Sequence, residues 1–124
     1  MIQKVELGLR IFVGLLLVNS GINKFIGYMP MPEMAEPAGA LMMALVGSGY
    51  IMATVAVVEI IGGVLLIWGK MIPFALIILA PIIYNIFMVH AILDPNGVAI
   101  GVILIAALGW FAWNRKGSFK ALFG

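Results

Sequence analysis

Cysteine is absent from this sequence of 124 residues, and only 10% of its residues are charged. Without a thiol, disulfide exchange, thiolate catalysis and metal ligation by thiolates are excluded. The single histidine, His90, excludes bis-histidine haem ligation within one chain. No basic patch with interleaved aromatic residues occurs, so nothing in the sequence supports nucleic-acid binding.

Apolar residues dominate what is present. They make up 65% of the chain, and the mean hydropathy is +1.21. Soluble domains are nearer half apolar and a quarter charged. The sequence therefore predicts an integral membrane protein with very little mass outside the bilayer. Its length leaves room for about four spanning helices and short loops, which we treat as one transmembrane domain over residues 1–124.

The apolar runs predict where these helices lie. A run of nine apolar or small residues after Pro37 is too short to span, and predicts a short interfacial helix over about 37–47. The fold class is therefore an all-α membrane protein, an antiparallel four-helix transmembrane bundle with a short interfacial helix between spans 1 and 2. The four spans are predicted at about 5–26, 50–69, 72–92 and 98–113.

The first run also invites a signal-peptide interpretation, which we reject. The run is too long for the apolar region of a signal peptide, contains Arg10, and lacks an A-x-A-like cleavage site. Pro81 falls inside the third span, where it removes one backbone hydrogen bond. The sequence Asp94-Pro95-Asn96-Gly97 predicts a turn before the fourth span.

Loop charges predict the orientation of the chain. With four spans, one side of the membrane carries five basic residues and the other carries one. The basic side is expected to be cytoplasmic by the positive-inside rule, which places both termini in the cytoplasm. The first side holds Lys4, Lys70, Arg115, Lys116 and Lys120, and the second holds Lys24, Glu33, Glu36 and Asp94.

Glu59 stands near the middle of the second span. An ionised carboxylate at that depth costs at least ~2.5 kcal/mol on insertion scales, so a cation, a proton, hydrogen-bond donors or a wet cavity must offset it. Counting residues along the spans predicts Arg10 as the partner and predicts that Lys24 snorkels outward. Whether Glu59 is a functional acid or a structural one that fixes helix register stays open at this point.

Other polar residues of the spans have two interpretations each. Asn85 is expected at about the depth of Glu59, either as a hydrogen-bond donor to a ligand or as a contact between helices. His90 is either a proton entry point or a polar anchor near the membrane surface. Asn19 and Asn23 share a helix face and either line the same cavity or pack between helices.

Methionines are frequent after the first span, but they do not predict a metal site. Soft metals accept thioether ligands, yet these residues are spread over a loop and an apolar helix, where methionine is typical of adaptable packing. No metal is therefore expected. The residues concerned are Met29, Met31, Met34, Met42 and Met43.

Glycines of the first two spans follow short patterns. On the first helix, the glycines share a face with Arg10 and Lys24, and that face is expected to meet other helices because glycine permits close approach. The patterns are R-x3-G-x6-G-x2-K (Arg10, Gly14, Gly21, Lys24) and E-x2-GG-x5-G (Glu59, Gly62, Gly63, Gly69).

These patterns, with the proline-rich connection and the polar end of the third span at His90, resemble the DoxX family. The resemblance implies a small four-span bundle in the bacterial cytoplasmic membrane. It also implies a link to quinone reduction coupled to oxidation of sulfur compounds, or to membrane complexes that resist oxidative stress. A quinone is the one small molecule that the resemblance suggests as a ligand.

The functional hypothesis is a polar site between the first three helices, formed by Arg10, Glu59 and Asn85, that binds a quinone or similar amphiphile in a membrane redox pathway. Partner redox proteins would supply the electrons, so the sequence leaves open whether the chain is itself an enzyme. Two alternatives stay open: a non-catalytic accessory subunit of a larger membrane complex, and a small transporter or lipid-handling protein. The apolar fourth helix is expected to face lipid or to form a homo-oligomer contact.

Overall fold

The computed structural model describes residues 2–26, 36–93, 95 and 98–121. These residues form helices and short turns, with no strand among them, so the predicted all-α class is confirmed. A π-helical turn, Val89–Leu93, continues the fourth helix. The helices are α1 (Ile2–Ile26), α2 (Glu36–Gly47), α3 (Ile51–Trp68), α4 (Ile72–Met88), α5 (Val98–Trp113) and α6 (Lys116–Lys120).

Three of these helices are long and apolar enough to cross a membrane, judged by length and composition: Ile2–Ile26, Ile51–Trp68 and Ile72–Leu93. The apolar helix α5 is shorter, with 16 residues, or about 24 Å at ~1.5 Å per residue. That α5 is a fourth span, and that α2 lies at the membrane surface, stay predictions. Most of the predicted proline-rich connection, including Met29, Met31 and Met34, and the predicted turn residues Asp94, Asn96 and Gly97 lie outside the described residues.

Local chemistry explains where α3 begins and ends. Ser48 Oγ accepts a hydrogen bond from the Ile51 backbone N–H at 3.0 Å, which satisfies one of the N–H groups left over at a helix start. At the other end, Gly69 adopts φ +85°, a left-handed conformation that glycine reaches without strain. Its N–H donates to the Leu65 carbonyl at 2.9 Å, which closes the last turn.

Glycines set the distance between α1 and α3. A Cβ added at Gly14 would lie 2.7 Å from the Gly63 carbonyl oxygen, and one at Gly21 would lie 2.7 Å from that of Ala56. Real Cβ atoms are not found that close to backbone, so only glycine permits this approach. The predicted role of the glycine face of α1 is confirmed. Because higher α1 numbers meet lower α3 numbers, the two helices are antiparallel.

Helix α3 lies between α1 and α4. Gly63 faces the α1 backbone, whereas a Cβ at the neighbouring Gly62 would lie 2.6 Å from Leu79 Cγ on α4. Farther along, Gly101 of α5 packs against the backbone of Phe87. Buried apolar residues of α1, α3, α4 and α5 meet in one cluster: Val13, Leu17, Leu66, Ile72, Ala75, Leu76, Leu79, Ile83, Leu104, Ala107, Leu108 and Phe111.

One end of the bundle gathers the start of α1 and the ends of α3 and α5. Arg10 contacts the Leu66 carbonyl of α3, and Glu6 contacts Arg115 beyond α5. We call this the basic end, because its described residues include six cations and one acid, Glu6. The cations are Lys4, Arg10, Lys70, Arg115, Lys116 and Lys120. Helix α2 packs at the opposite end, beside α3 and the π-helical turn.

Candidate functional site

Glu59 lies in the middle of α3, and its side chain is 2% exposed. Lys24 Nζ donates to Glu59 Oε1 at 2.7 Å and to Ser20 Oγ at 2.7 Å. The Ser20 hydroxyl lies 3.3 Å from Glu59 Oε2, a long hydrogen bond. Lys24, Ser20 and Glu59 therefore form a compact polar cluster between α1 and α3, which we call the Lys24–Glu59 site.

The predicted pairing of Arg10 with Glu59, and the predicted outward snorkelling of Lys24, are both wrong, and the register of the helices explains why. Gly14 meets Gly63 and Ile67, and Gly21 meets Ala56 and Ile60, so Glu59 lies close to the level of Ser20, whose hydroxyl it contacts. Lys24 is then about four residues away along the axis and Arg10 about ten, or roughly 6 Å and 15 Å at ~1.5 Å per residue.

Side-chain direction adds to this difference. Every Cα–Cβ bond in a helix tilts towards the helix N-terminus. The side chain of Lys24 therefore points back along α1 towards Glu59, and Glu59, on an antiparallel helix, points towards Lys24. Arg10 points the other way. Its Nη1 donates to the Leu66 carbonyl oxygen at 2.9 Å, near the end of α3 where carbonyls lack helical partners.

Glu6 is a polar residue that the sequence analysis missed. It is buried at the basic end, where its Oε1 lies 2.5 Å from Arg115 Nη2 and 3.8 Å from Arg10 Nε. Asn114 donates to its other oxygen. The spacing of four between Glu6 and Arg10 is a signal that could have found the first contact, whereas the link to residues 114 and 115 depends on the folded bundle.

Asn85 and His90 are not brought to Glu59. Asn85 is exposed, and its Nδ2 donates to the Pro81 carbonyl oxygen at 2.9 Å on the same helix. His90 lies in the π-helical turn, with Nδ1 2.8 Å from the Ile86 carbonyl oxygen. The predicted three-residue cluster of Arg10, Glu59 and Asn85 is therefore not assembled in this structure. Asn19 and Asn23 are half-buried on α1, and each has an interaction partner.

A second feature is an apolar groove between α1 and α5. It has a volume of about 330 Å³ and is lined by Leu9, Ile103, Ala106, Ala107 and Trp110. This volume is at the lower limit of small-molecule sites, which span about 300–1,000 Å³. The groove contains none of the residues of the Lys24–Glu59 site.

Taken together, the apolar helices and the buried ion pair between two of them define a multi-pass α-helical membrane protein. The DoxX family model matches residues 5–94, from α1 to the end of the π-helical turn. The chain belongs to the DoxX family, which confirms the resemblance seen in the sequence. No curated protein and no solved structure matches the chain.

Proposed function

We propose that this DoxX protein binds the polar head group of a quinone or similar amphiphile at the Lys24–Glu59 site, as a component of a membrane redox pathway. The observation that carries the proposal is an ion pair inside an apolar bundle. The lysine end of this pair is accessible from outside the bundle, whereas the carboxylate is buried. The Lys24 side chain is 20% exposed, whereas Glu59 is 2% exposed. A ligand would therefore approach through Lys24.

Lys24 has donor capacity to spare for such a ligand. An ammonium group carries three N–H donors, and within the described residues two of them are used, by Ser20 and Glu59. The third can donate to a carbonyl oxygen, the polar group that a quinone presents. An apolar tail would lie in the surrounding lipid, which suits a molecule that moves within the bilayer.

Glu59 supplies the acid–base part of the proposal. Reduction of a quinone to a quinol consumes two electrons and two protons. The Lys24 ammonium and the Glu59 carboxylate form a relay through which a proton can pass to the ligand oxygen. The chain has no cysteine to carry electrons, so in this proposal the electrons come from a redox partner protein, in keeping with the pathways that the family resemblance implies.

The competing proposal is an accessory subunit without a ligand. In that case the Lys24–Glu59 pair only fixes the register of α1 against α3, and α5 docks on a larger membrane protein. The favouring observation is that α5 carries no charged residue and exposes Ile100 and Val102 on its outer surface. Lipid or a partner helix would cover such a surface equally well.

We further propose that the protein lies in the bacterial cytoplasmic membrane with both termini on the cytoplasmic side. The support is the concentration of six cations at one end, because cytoplasmic loops are enriched in lysine and arginine. The Lys24–Glu59 site would then open towards the outer half of the bilayer.

Native mass spectrometry of the protein purified gently from its own membrane tests the ligand. We expect a retained mass of quinone size in the wild type and a loss of that mass in Glu59→Gln, with normal accumulation of this variant because the amide oxygen can still accept from Lys24. Glu36→Gln is the matched control, because Glu36 is exposed at the first turn of α2. A polypeptide that co-purifies in fixed stoichiometry without a small molecule would favour the accessory subunit.

If Glu59→Gln fails to accumulate, a charge reversal distinguishes a ligand-binding role of the ion pair from a purely structural one. The double variant Lys24→Glu, Glu59→Lys restores an ion pair but exchanges the exposed ammonium for a carboxylate. Recovery of accumulation without recovery of the ligand supports the binding role of Lys24. Recovery of full pathway activity in this double variant would overturn the proposal, since a donor facing the ligand is then not required.

A further inference from the structure

The groove between α1 and α5 runs towards the basic end. Along α5, its lining residues Ile103, Ala106 and Trp110 follow helical spacing, and the same face continues one turn later at Trp113 and Asn114. On α1, Leu9 is one turn from Glu6. The apolar groove therefore leads directly to the polar cluster of Glu6, Asn114 and Arg115.

Cations exceed acids where the groove ends. Arg115 forms an ion pair with Glu6, which neutralises the charge of Arg115. Lys116 is exposed, and its Nζ lies 4.5 Å from the centre of the Trp113 ring. A lysine over an exposed tryptophan next to an apolar surface is typical of the membrane–water boundary. This end of the groove thus offers at least one cation without a carboxylate partner among the described residues.

We propose that the α1–α5 groove binds one anionic glycerophospholipid, with an acyl chain along Leu9, Ile103 and Trp110 and the phosphate at Lys116. The groove is wholly apolar where the chain would lie, and positive where the head group would lie. An amphiphile with a negative head group matches both parts.

Charge complementarity favours a lipid over a second copy of the chain. A copy packed in the same orientation would bring six cations beside six, with one acid on each side among the described residues. An anionic lipid is instead attracted to each lysine or arginine that it meets. The site is independent of the proposed function, because it lies at the end of the bundle away from Lys24.

Native mass spectrometry in a defined lipid mixture tests the proposal. The full chain is reconstituted with equal amounts of phosphatidylglycerol and phosphatidylcholine that carry identical acyl chains, and the fraction that retains one lipid of each kind is measured. We expect preferential retention of one phosphatidylglycerol. Lys116→Gln should lower its retention roughly fivefold, the equivalent of about 1 kcal/mol.

Lys70→Gln is the matched control for the head group. Lys70 also lies over a tryptophan, Trp68, with its Nζ 5.2 Å from the ring centre. Its substitution by glutamine removes the same charge from the same end of the bundle. It belongs to the connection between α3 and α4 and not to the groove. We expect retention of phosphatidylglycerol to change little. Equal losses in Lys116→Gln and Lys70→Gln would overturn the proposal in favour of a diffuse surface potential.

Ala106→Leu tests the groove itself, because Ala106 is exposed and a larger side chain would fill the space without entering the core. Its control is Ala80→Leu, an exposed position on α4 outside the groove. Loss of the lipid in Ala106→Leu alone supports the proposal. Equal retention of the two lipids by the wild type, or a homodimer that Ala106→Leu disrupts, would overturn it.

Discussion

Lys24 Nζ and Glu59 Oε1 lie 2.7 Å apart across the contact between α1 and α3, and the carboxylate is almost completely buried. Each charge stabilises the other in surroundings where either alone would be strongly unfavourable. The pair therefore couples two helices that are distant in sequence, and the protein's stability should respond to the two residues jointly.

A double-mutant cycle measures this coupling. We expect Lys24→Met and Glu59→Leu each to lower the free energy of unfolding by about 3 kcal/mol, because each leaves a buried charge unpaired. The double variant should recover most of that loss. Unfolding in a detergent titration gives the four free energies. Simple additivity of the two single effects would show that the ion pair does not exist in the membrane.

The glycine contacts predict a steric effect on the same interface. Gly21→Ala would place Cβ 2.6 Å from Ile60 Cγ1 and 2.7 Å from the Ala56 carbonyl oxygen, so the helices must separate. We expect a loss of about 1–3 kcal/mol in unfolding free energy. The control is Gly8→Ala, on the same helix with nothing within 4 Å. A loss in Gly8→Ala as large as that in Gly21→Ala would contradict the packing described above.

Arg10 should stabilise the protein through its hydrogen bond to the C-terminal end of α3. In Arg10→Met, the Leu66 carbonyl loses a charged donor, and Glu6 loses a nearby cation. Hydrogen bonds to charged groups contribute about 1.5–3 kcal/mol, so we expect a decrease of that size in unfolding free energy. Lys4→Met removes an exposed charge from the same helix and should change stability by less than about 0.5 kcal/mol. Indistinguishable effects of the two variants would count against this role of Arg10.

Glu6 should hold the C-terminal segment to α1. We expect Glu6→Ala to release Arg115 and Asn114 and thereby to speed backbone hydrogen exchange at the end of α5 and in α6. Exchange monitored by mass spectrometry on short peptides localises the effect. Glu36→Ala, at an exposed position on α2, is the control. Unchanged exchange around residues 114–120 in Glu6→Ala would contradict the role of this cluster.

The orientation of the chain can be tested cleanly because it contains no cysteine. Single cysteines at Ser118, in α6, and at Ala40, in α2, lie at opposite ends of the bundle. In intact cells, a membrane-impermeant maleimide should label Ala40→Cys but not Ser118→Cys, and lysis should expose both. The reverse pattern would place the termini outside, against the positive-inside argument.

The fold class was predictable from the sequence because apolar run length and turn residues are local signals. The runs around Glu59 and Pro81 each became one helix, α3 and α4. The close approach at Gly14 and Gly21 was also predictable, since small residues on one helix face indicate a contact in lipid. That α3 would lie between two other helices followed only from the structure, where Gly62 and Gly63 face opposite neighbours.

The candidate site was predictable only in part. Burial of Glu59 followed from its place in an apolar run, but its partner depended on the register of α1 against α3, which residue counting from the span ends does not determine. The direction of side chains along a helix then decided between Lys24 and Arg10. Asn85 donates instead to a local acceptor, the Pro81 carbonyl, because an asparagine side chain in a helix can reach the backbone oxygen four residues earlier.

The pairing of Lys24 with Glu59 also has a consequence for biogenesis. Lys24 leaves the ribosome 35 residues before Glu59 does. When α1 first reaches the translocon, its ammonium group has no counter-ion, and a lone charge in hydrocarbon is expensive. We therefore expect stable entry of α1 into lipid to wait for α3, with the two helices entering as a hairpin. Insertion of this chain is expected to be cooperative rather than one helix at a time.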